Sequence, residues 1–228
     1  MAYLLGAIPS GYIITKYLKG FDIRDHGSGN PGAANVYRVV GKWPGVATFA
    51  ADAAKGAAAV LLAKHFAPVD KVFYEAFYNI IMICPKITCT IPYDAASTFN
   101  FAPYLIMAAG FVAICAHMWT IFLGLRGGKG VATSAGVFGA LLPIPTAIAI
   151  TTFALIVWRT GRISPGSIAA AIVLPATSYF IGNNPIQYCI LATFVGALVI
   201  YKHIPNIKRM LDKKELYFED GSKKNANK

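Results

Sequence analysis

The sequence predicts an all-α fold, a polytopic membrane helical bundle of seven transmembrane helices with its N-terminus outside and its C-terminus cytoplasmic. Three observations predict it. Apolar runs recur at about 1–18, 44–67, 101–124, 131–158, 167–182 and 186–201, most of them near the ~20 residues that cross a hydrocarbon core. Only 14% of the 228 residues are charged and the mean hydropathy is +0.54, whereas about a quarter of a soluble domain is charged. Lys and Arg gather in the short segments between the runs, as in loops that face the cytoplasm.

Taken in order, Met1 leads straight into apolar sequence. It lacks the basic n-region and small-residue cleavage site of a secretory leader. Met1–Thr15 barely spans, which a late start site or missing upstream residues would explain. The run 131–158 is long for one crossing and short for two. The flanking loops carry Arg126/Lys129 and Arg159/Arg162, so both read as cytoplasmic and an even number of passes must separate them. "LLPIP" at 141–145 supplies the break, because its prolines cannot continue a regular helix. The cytoplasmic segments are then 19–43, 125–130, 159–166 and 202–228, and the outer ones are 68–100, the "LPIP" turn and "GNNPIQ". Segment 202–217 puts Ile207, Met210 and Leu211 on one helical side among lysines and reads as a helix lying in the interface. Residues 1–217 read as one integral membrane domain, and 218–228 as a disordered polar tail.

The formal charge of +11 does not point to nucleic acid, because the basic residues lie in interhelical segments and eight of the 21 fall from Lys202 onward. Cys84, Cys89, Cys115 and Cys189 show no metal-ligand spacing. Cys115 and Cys189 sit in apolar runs as bland thiols. Cys84 and Cys89 flank "PKIT" and are open to a bridge.

Two glycine-rich segments carry the chemistry. In "HGSGNPGAANVYR", Gly27, Gly29 and Gly32 match G-x-G-x-x-G, but a membrane helix precedes them where a dinucleotide fold needs a strand. An anion nest of backbone N–H groups is one reading, with Ser28, Asn30 and Asn35 as neutral donors and the Arg38 fork for phosphate oxygens. A tight, polar-capped helix–helix turn is the other. "GLRGGKGVAT" lacks the Walker A spacing. Gly127, Gly128 and Gly130 around Lys129, opening a helix at Val131, still make an anion site at a positive dipole end; topology plus a flexible turn is the plainer reading. In "DAAKG", Asp52 and Lys55 share a helix face and form either a neutralised structural pair or a functional one, Lys55 acting on an anion and Asp52 holding a base. His203 and Asn206 in "HIPN" share one side of a turn, and the plain reading of each histidine is a polar belt residue for His203 and a capping or hydrogen-bonding group inside the bundle for His117. His65 and Asp70 have a His-x-x-x-x-Asp spacing known from lipid acyltransferases. They fall on the outer face with Pro68 between them and read as coincidence.

"LLGAIPSGYIITKYLKGFDIRDHGSGNPGAANVYRVVGKWPG", "DAAKG", "AHMWTIFLGLRGGKGVATSAG", "RISPGSI" and "YKHIPNIKRML" together resemble the successive signatures of the bacterial membrane acyl-phosphate:glycerol-3-phosphate acyltransferase family. The resemblance covers 1–67 and about 102–212. It implies seven membrane helices in the bacterial inner membrane, a site facing the cytoplasm, and transfer of a fatty acyl group from acyl phosphate to the 1-hydroxyl of glycerol 3-phosphate. Lysophosphatidic acid and phosphate are the implied products, in phospholipid biosynthesis. No cofactor, metal or nucleic acid is expected; the partners are the two substrates and membrane lipid, with the chain acting as a monomer. The family's motifs fall on Ser28, Gly29 and Asn30, then Asn35 and Arg38; on Gly127, Gly128, Lys129 and Gly130; on Ser164 and Ser167; and on His203 and Asn206. The implied catalytic groups are Ser28, Lys129, His203 and Asn206. The others, with Lys55, are substrate-binding. Pro31, Thr120 and a longer 68–100 depart from the pattern. A phosphate-ester transporter is the reading from another class, disfavoured by anion motifs confined to one side.

Overall fold

The computed structural model describes residues 1–66 and 102–217. Among them lie ten α-helices and two 3₁₀ turns. The first apolar run is broken into α1 (Ala2–Ala7) and α2 (Ser10–Lys19). Pro9 has no N–H to continue the ladder and drives Ile8 to extended backbone, at φ −55° and ψ 117°. The break leaves carbonyls without helical partners in a region where lipid supplies none. Thr120 donates to the Ala7 carbonyl at 2.5 Å, and the Lys55 ammonium donates to that of Ile8 at 2.6 Å.

A loop and the short helix α3 (Ala33–Val39) lead into the 25-residue α4 (Lys42–Phe66). Then follow α5 (Ala102–Met118), a 3₁₀ turn at Ile121–Leu123, and α6 (Val131–Leu141). The proline stretch breaks the fourth run at Leu142, as its composition predicts, and Pro143 opens α7 (Pro143–Thr160). Gly161, left-handed at φ 64°, ends α7, and α8 (Ile163–Phe180) begins two residues later. Helix α9 (Ile186–Lys202) bends by 53° at His203 into α10 (Ile204–Leu211).

The chain is an all-helical membrane bundle. By length and composition, α4, α5 with its following turn, α7 and α8 can each cross a bilayer, and bent α9–α10 makes a fifth candidate. Helices α1, α2 and α6 are individually too short; α6, at 11 residues, is about 16 Å long, roughly half a hydrocarbon core. Segment 68–100, which the sequence places outside, with Asp70, Cys84 and Cys89, and the tail 218–228 lie outside the described residues. Tyr17, Phe180 and Trp158 are more than 80% exposed, as befits side chains facing lipid instead of a protein core.

The 202–217 segment departs from the expected single interfacial helix. Helix α10 stops at Leu211, Lys213 takes a left-handed φ of 56°, and 214–217 run back without helix over the start of α8. The buried Glu215 explains the reversal, since its bonding partners lie there.

Close helix approach replaces a hydrophobic driving force inside a membrane. At the α4–α6 crossing, a Cβ on Gly56 would strike the Thr133 backbone and one on Gly136 the Ala53 backbone. Gly139, on the same α6, has open space around its would-be Cβ. Gly136→Ala is therefore expected to destabilise by about 1–3 kcal/mol, seen as a lowered thermal midpoint in detergent. Gly139→Ala should leave the midpoint unchanged or raise it.

Candidate active site

A cavity of about 450 Å³ is lined by α3, α4, α6, α7, α8 and α9, by His117 of α5 and by the bend after α9. One end is polar, with Ser28, Asn30, Arg38, Lys129, Ser164, His203 and Asn206; the rest is mainly an apolar channel past Phe49, Ile150, Phe153, Ala171, Leu174 and Val195, with Asp52, His117, Ser134 and Thr146 as polar groups on its wall. All four segments expected on the cytoplasmic side thus contribute to one end of one space.

The loop before α3 folds upon itself. Asn35, 1% exposed, accepts from the Ser28 N–H at 2.8 Å and donates to the Ile23 and His26 carbonyls at 3.2 and 2.9 Å. The Gly29 N–H goes to the His26 carbonyl and the Gly32 N–H to Asn30 Oδ1. These N–H groups therefore do not form the anion nest that the glycines suggested: the tight-turn reading applies. Asn35 lines the cavity wall with both amide donors committed to its own loop, so it is a staple and not a free substrate donor. Gly29 does not line the cavity; its left-handed φ of 71° serves the turn. Ser28 does line it, and its hydroxyl makes no hydrogen bond among the described residues.

The second loop is organised by the end of α5. The Gly127 and Gly128 N–H groups donate to the Met118 and His117 carbonyls at 3.2 and 3.0 Å, and the His117 ring lies where a Cβ on Gly128 would be. Gly127 and Gly128 therefore seat the loop and do not line the cavity. Gly130, left-handed at φ 84°, caps α6, so Lys129, Gly130, Val131 and Ala132 present the positive end of that helix to the space.

The third part is the bend. His203, 3% exposed, places Nδ1 2.7 Å from the Val199 carbonyl. A carbonyl only accepts, so Nδ1 carries the proton and Nε2 keeps its lone pair. Asn206, 2% exposed, accepts from the Lys129 ammonium and donates to Ser164 Oγ at 2.7 Å and to Glu215 Oε1 at 2.8 Å. Ser164 donates to the same Glu215 oxygen, and Arg209 Nε reaches Oε2 at 3.2 Å. Ser164 is thus a brace between Asn206 and Glu215. Ser167, also lining, donates to the Ile163 carbonyl at 3.1 Å. Arg38 Nε donates to the Tyr217 carbonyl at 3.0 Å, and the Arg162 guanidinium lies 4.6 Å over the Tyr217 ring.

Lys55 does not line the cavity, although its partner Asp52 does: its ammonium sits 2.8 Å from Asp52 and on the Ile8 carbonyl. This arrangement supports the structural pairing, because a desolvated ammonium takes the acceptors at its own depth. Asp52 and His117 do line the cavity, with His117 Nδ1 3.6 Å from Asp52 Oδ1. Sequence reasoning overlooked Glu215, which is one of two acids among four cations in "KRMLDKKELY" and carries no local signal that sets it apart from Asp212. No group of three or more His, Cys, Asp or Glu among the described residues could hold a metal ion.

The polar end carries excess positive charge. Burial pushes the Lys129 pKa down to about 8; Arg209 and Arg38 push the same way and Glu215 opposes them. Burial likewise lowers Arg38. For Glu215, burial favours the neutral acid, but the hydrogen bonds from Ser164, Asn206 and Arg209 outweigh it and hold the carboxyl below its ordinary range.

The family model described as glycerol-3-phosphate acyltransferase matches residues 1–213. The glycerol-3-phosphate acyltransferase of Thermosynechococcus vestitus is 41% identical over 212 residues, covering 92% of this chain and 89% of its own length. That of Syntrophotalea carbinolica is 38% identical, covering 96% and 94%. A crystal structure of PlsY (YgiH), an integral membrane glycerol 3-phosphate acyltransferase in its glycerol 3-phosphate form, superposes with a TM-score of 0.75 at 31% identity, covering 100% of this chain and 96% of that one. Its lysophosphatidic acid form gives 0.71 at 32% identity, covering 95% and 91%. With its apolar helices and a polar-to-apolar cavity, this chain belongs to the membrane glycerol-3-phosphate acyltransferase family.

Proposed function

We propose that the chain moves a fatty acyl group from acyl phosphate to the 1-hydroxyl of glycerol 3-phosphate, releasing lysophosphatidic acid and inorganic phosphate without a cofactor. One observation carries the reading: a cationic end rich in Asn, Ser and His opens directly into an apolar channel within a single cavity. A donor with a phosphate head and a lipid tail fits both parts, and a water-soluble phosphate ester fits the first. The glycerol 3-phosphate and lysophosphatidic acid forms of the solved relative support this pairing.

Acyl phosphate is already a mixed anhydride, so no acyl-enzyme is needed. The protein must hold two anions together, and Arg38, Lys129 and the positive end of α6 offset their repulsion. Asn30, Gly130 and Ser167 shape the space around them. His203 Nε2 takes the proton from the 1-hydroxyl. That oxygen bonds to the acyl carbonyl carbon, the carbon–oxygen bond to phosphate breaks, and phosphate leaves with the electron pair. The Ser28 hydroxyl and the Asn206 amide position the reacting groups, and holding both substrates in one cavity supplies several kcal/mol in addition (~7 or more where alignment is good).

Residues 1–217 act in this reading as one membrane unit in the inner membrane of a bacterium, functional as a monomer. The α1–α2 pair counts as one crossing and the short α6 as another, seven in all, with the N-terminus outside. Convergence of the four basic segments on one end supports a cytoplasmic site.

Purified full-length protein given radiolabelled glycerol 3-phosphate and a panel of acyl donors should form labelled lysophosphatidic acid with acyl phosphate only. Product from acyl-CoA in the absence of acyl phosphate would reject the proposed donor. Lys129→Met should lower kcat/KM by about 10²-fold or more while the thermal midpoint stays close to wild type; unchanged turnover would remove Lys129 from the site. Lys129 is charged below its pKa of about 8, so kcat/KM should fall as pH rises through about 8. Bound anions favour the charged form, so the corresponding limb in kcat should lie at higher pH.

A further inference from the structure

We propose that Glu215 is a positioning residue of this site, setting the direction of a hydrogen-bond chain that turns the Asn206 carbonyl oxygen toward Lys129. Its kinetic consequence rests on the acyl-transfer reading above. The chain runs Lys129 ammonium to Asn206 Oδ1, Asn206 Nδ2 to Ser164 Oγ, and Ser164 hydroxyl to Glu215 Oε1.

Only the middle link is reversible in principle, because the Lys129 ammonium can only donate and the Glu215 carboxylate can only accept. A hydroxyl donates or accepts by rotating, and an amide exchanges its two ends by a half-turn. A flipped Asn206 would aim its NH₂ at the Lys129 ammonium, donor against donor. A carboxylate is acceptor-only, so Glu215 obliges Ser164 to donate toward it and thereby frees the serine lone pair for Asn206. Glu215 also accepts from Asn206 directly, at 2.8 Å, while Arg209 Nε holds the second carboxylate oxygen. Glu215 is 4% exposed and reaches this place only because the chain reverses after α10. It stands two residues beyond the stretch matched by the family model.

Around Lys129 stand Arg38 on α3, Arg209 on α10, His203 at the bend and Glu215, with Asp52 on α4 and His117 on α5 lining the same cavity. Removing the Glu215 charge takes away an interaction that favours protonated Lys129.

The test compares full-length wild type with Glu215→Gln, Glu215→Ala, Asn206→Ala and the Asn206→Ala/Glu215→Ala double variant. Turnover, pH profile and thermal midpoint are measured, with calorimetric titration of glycerol 3-phosphate alongside. Glu215→Ala should lower kcat/KM by about 10- to 100-fold, the worth of a hydrogen bond to a charged group. In the Asn206→Ala background it should cause no further loss, because Glu215 acts through that amide. Glutamine keeps the volume but not the acceptor-only character, so Glu215→Gln should show a partial loss, weaker glycerol 3-phosphate binding and an alkaline limb displaced to lower pH. Wild-type kcat/KM, affinity and pH limb in Glu215→Gln would overturn the proposal, as would independent, multiplying losses in the double variant. If Glu215→Ala does not fold, Glu215→Gln decides alone. Wild type that binds glycerol 3-phosphate but makes no product from acyl phosphate rejects the reaction, and the binding comparison then decides the role of Glu215.

Discussion

A single buried amide joins the three parts of this site. Asn206 is in contact at once with the glycine-rich loop through Lys129, with the start of α8 through Ser164, and with the returning C-terminal segment through Glu215. Buried polar groups are costly unless each is satisfied, so the three segments must arrive together or the network fails as a whole. The 53° bend at His203 makes this possible. It turns Asn206 from the direction of α9 into the plane where α8 begins, and it leaves His203 facing the same cavity with its tautomer set by Val199.

The membrane shapes the remainder. Helix breaks within lipid need internal partners for the freed carbonyls, and the break at Ile8–Pro9 finds them in Thr120 and Lys55. The Thr120 hydroxyl closes the α1 end. Lys55, neutralised by Asp52, ties α1 to α4. Small residues bring α4 against α6, and α6 in turn aims its N-terminus at the cavity. Backbone placement, not a flexible side chain, thus delivers the positive helix end to the anion site.

Much of this was legible in the residues. The apolar runs and the prolines at 141–145 gave the helices and the break, because both signals are local. "GGKGV" gave the start of α6 for the same reason, and "HIPN" gave a shared face for His203 and Asn206. The direction in which loop groups point was not legible. Glycines with positive φ look alike in sequence whether their N–H groups face a ligand or their own loop, and Asn35 decided the matter by drawing the Ser28 N–H inward. Lys55 looked like an anion binder because the Ile8 carbonyl, 47 positions away, is invisible as a local pattern. Glu215 is not marked in the sequence at all, because nothing nearby announces the reversal at Lys213.

The balance of charge at the polar end bears on how substrates enter and leave. Arg38, Lys129 and Arg209 face one carboxylate there; burial first, and the two arginines after it, lower the Lys129 pKa to about 8. A second carboxylate at this end would compete with a phosphate for the same cations. The excess positive charge is instead matched by what binds: each close cation–phosphate pair is worth about 4 kcal/mol at 4 Å in a moderately polar site. In the proposed reaction two bound anions offset the repulsion among these cations and favour the charged form of Lys129. The phosphate that stays on the acylated product keeps a tail for the apolar channel, whereas the phosphate released from the proposed donor is held by the cations alone, so the same charges that assemble the substrates must also let a small anion go.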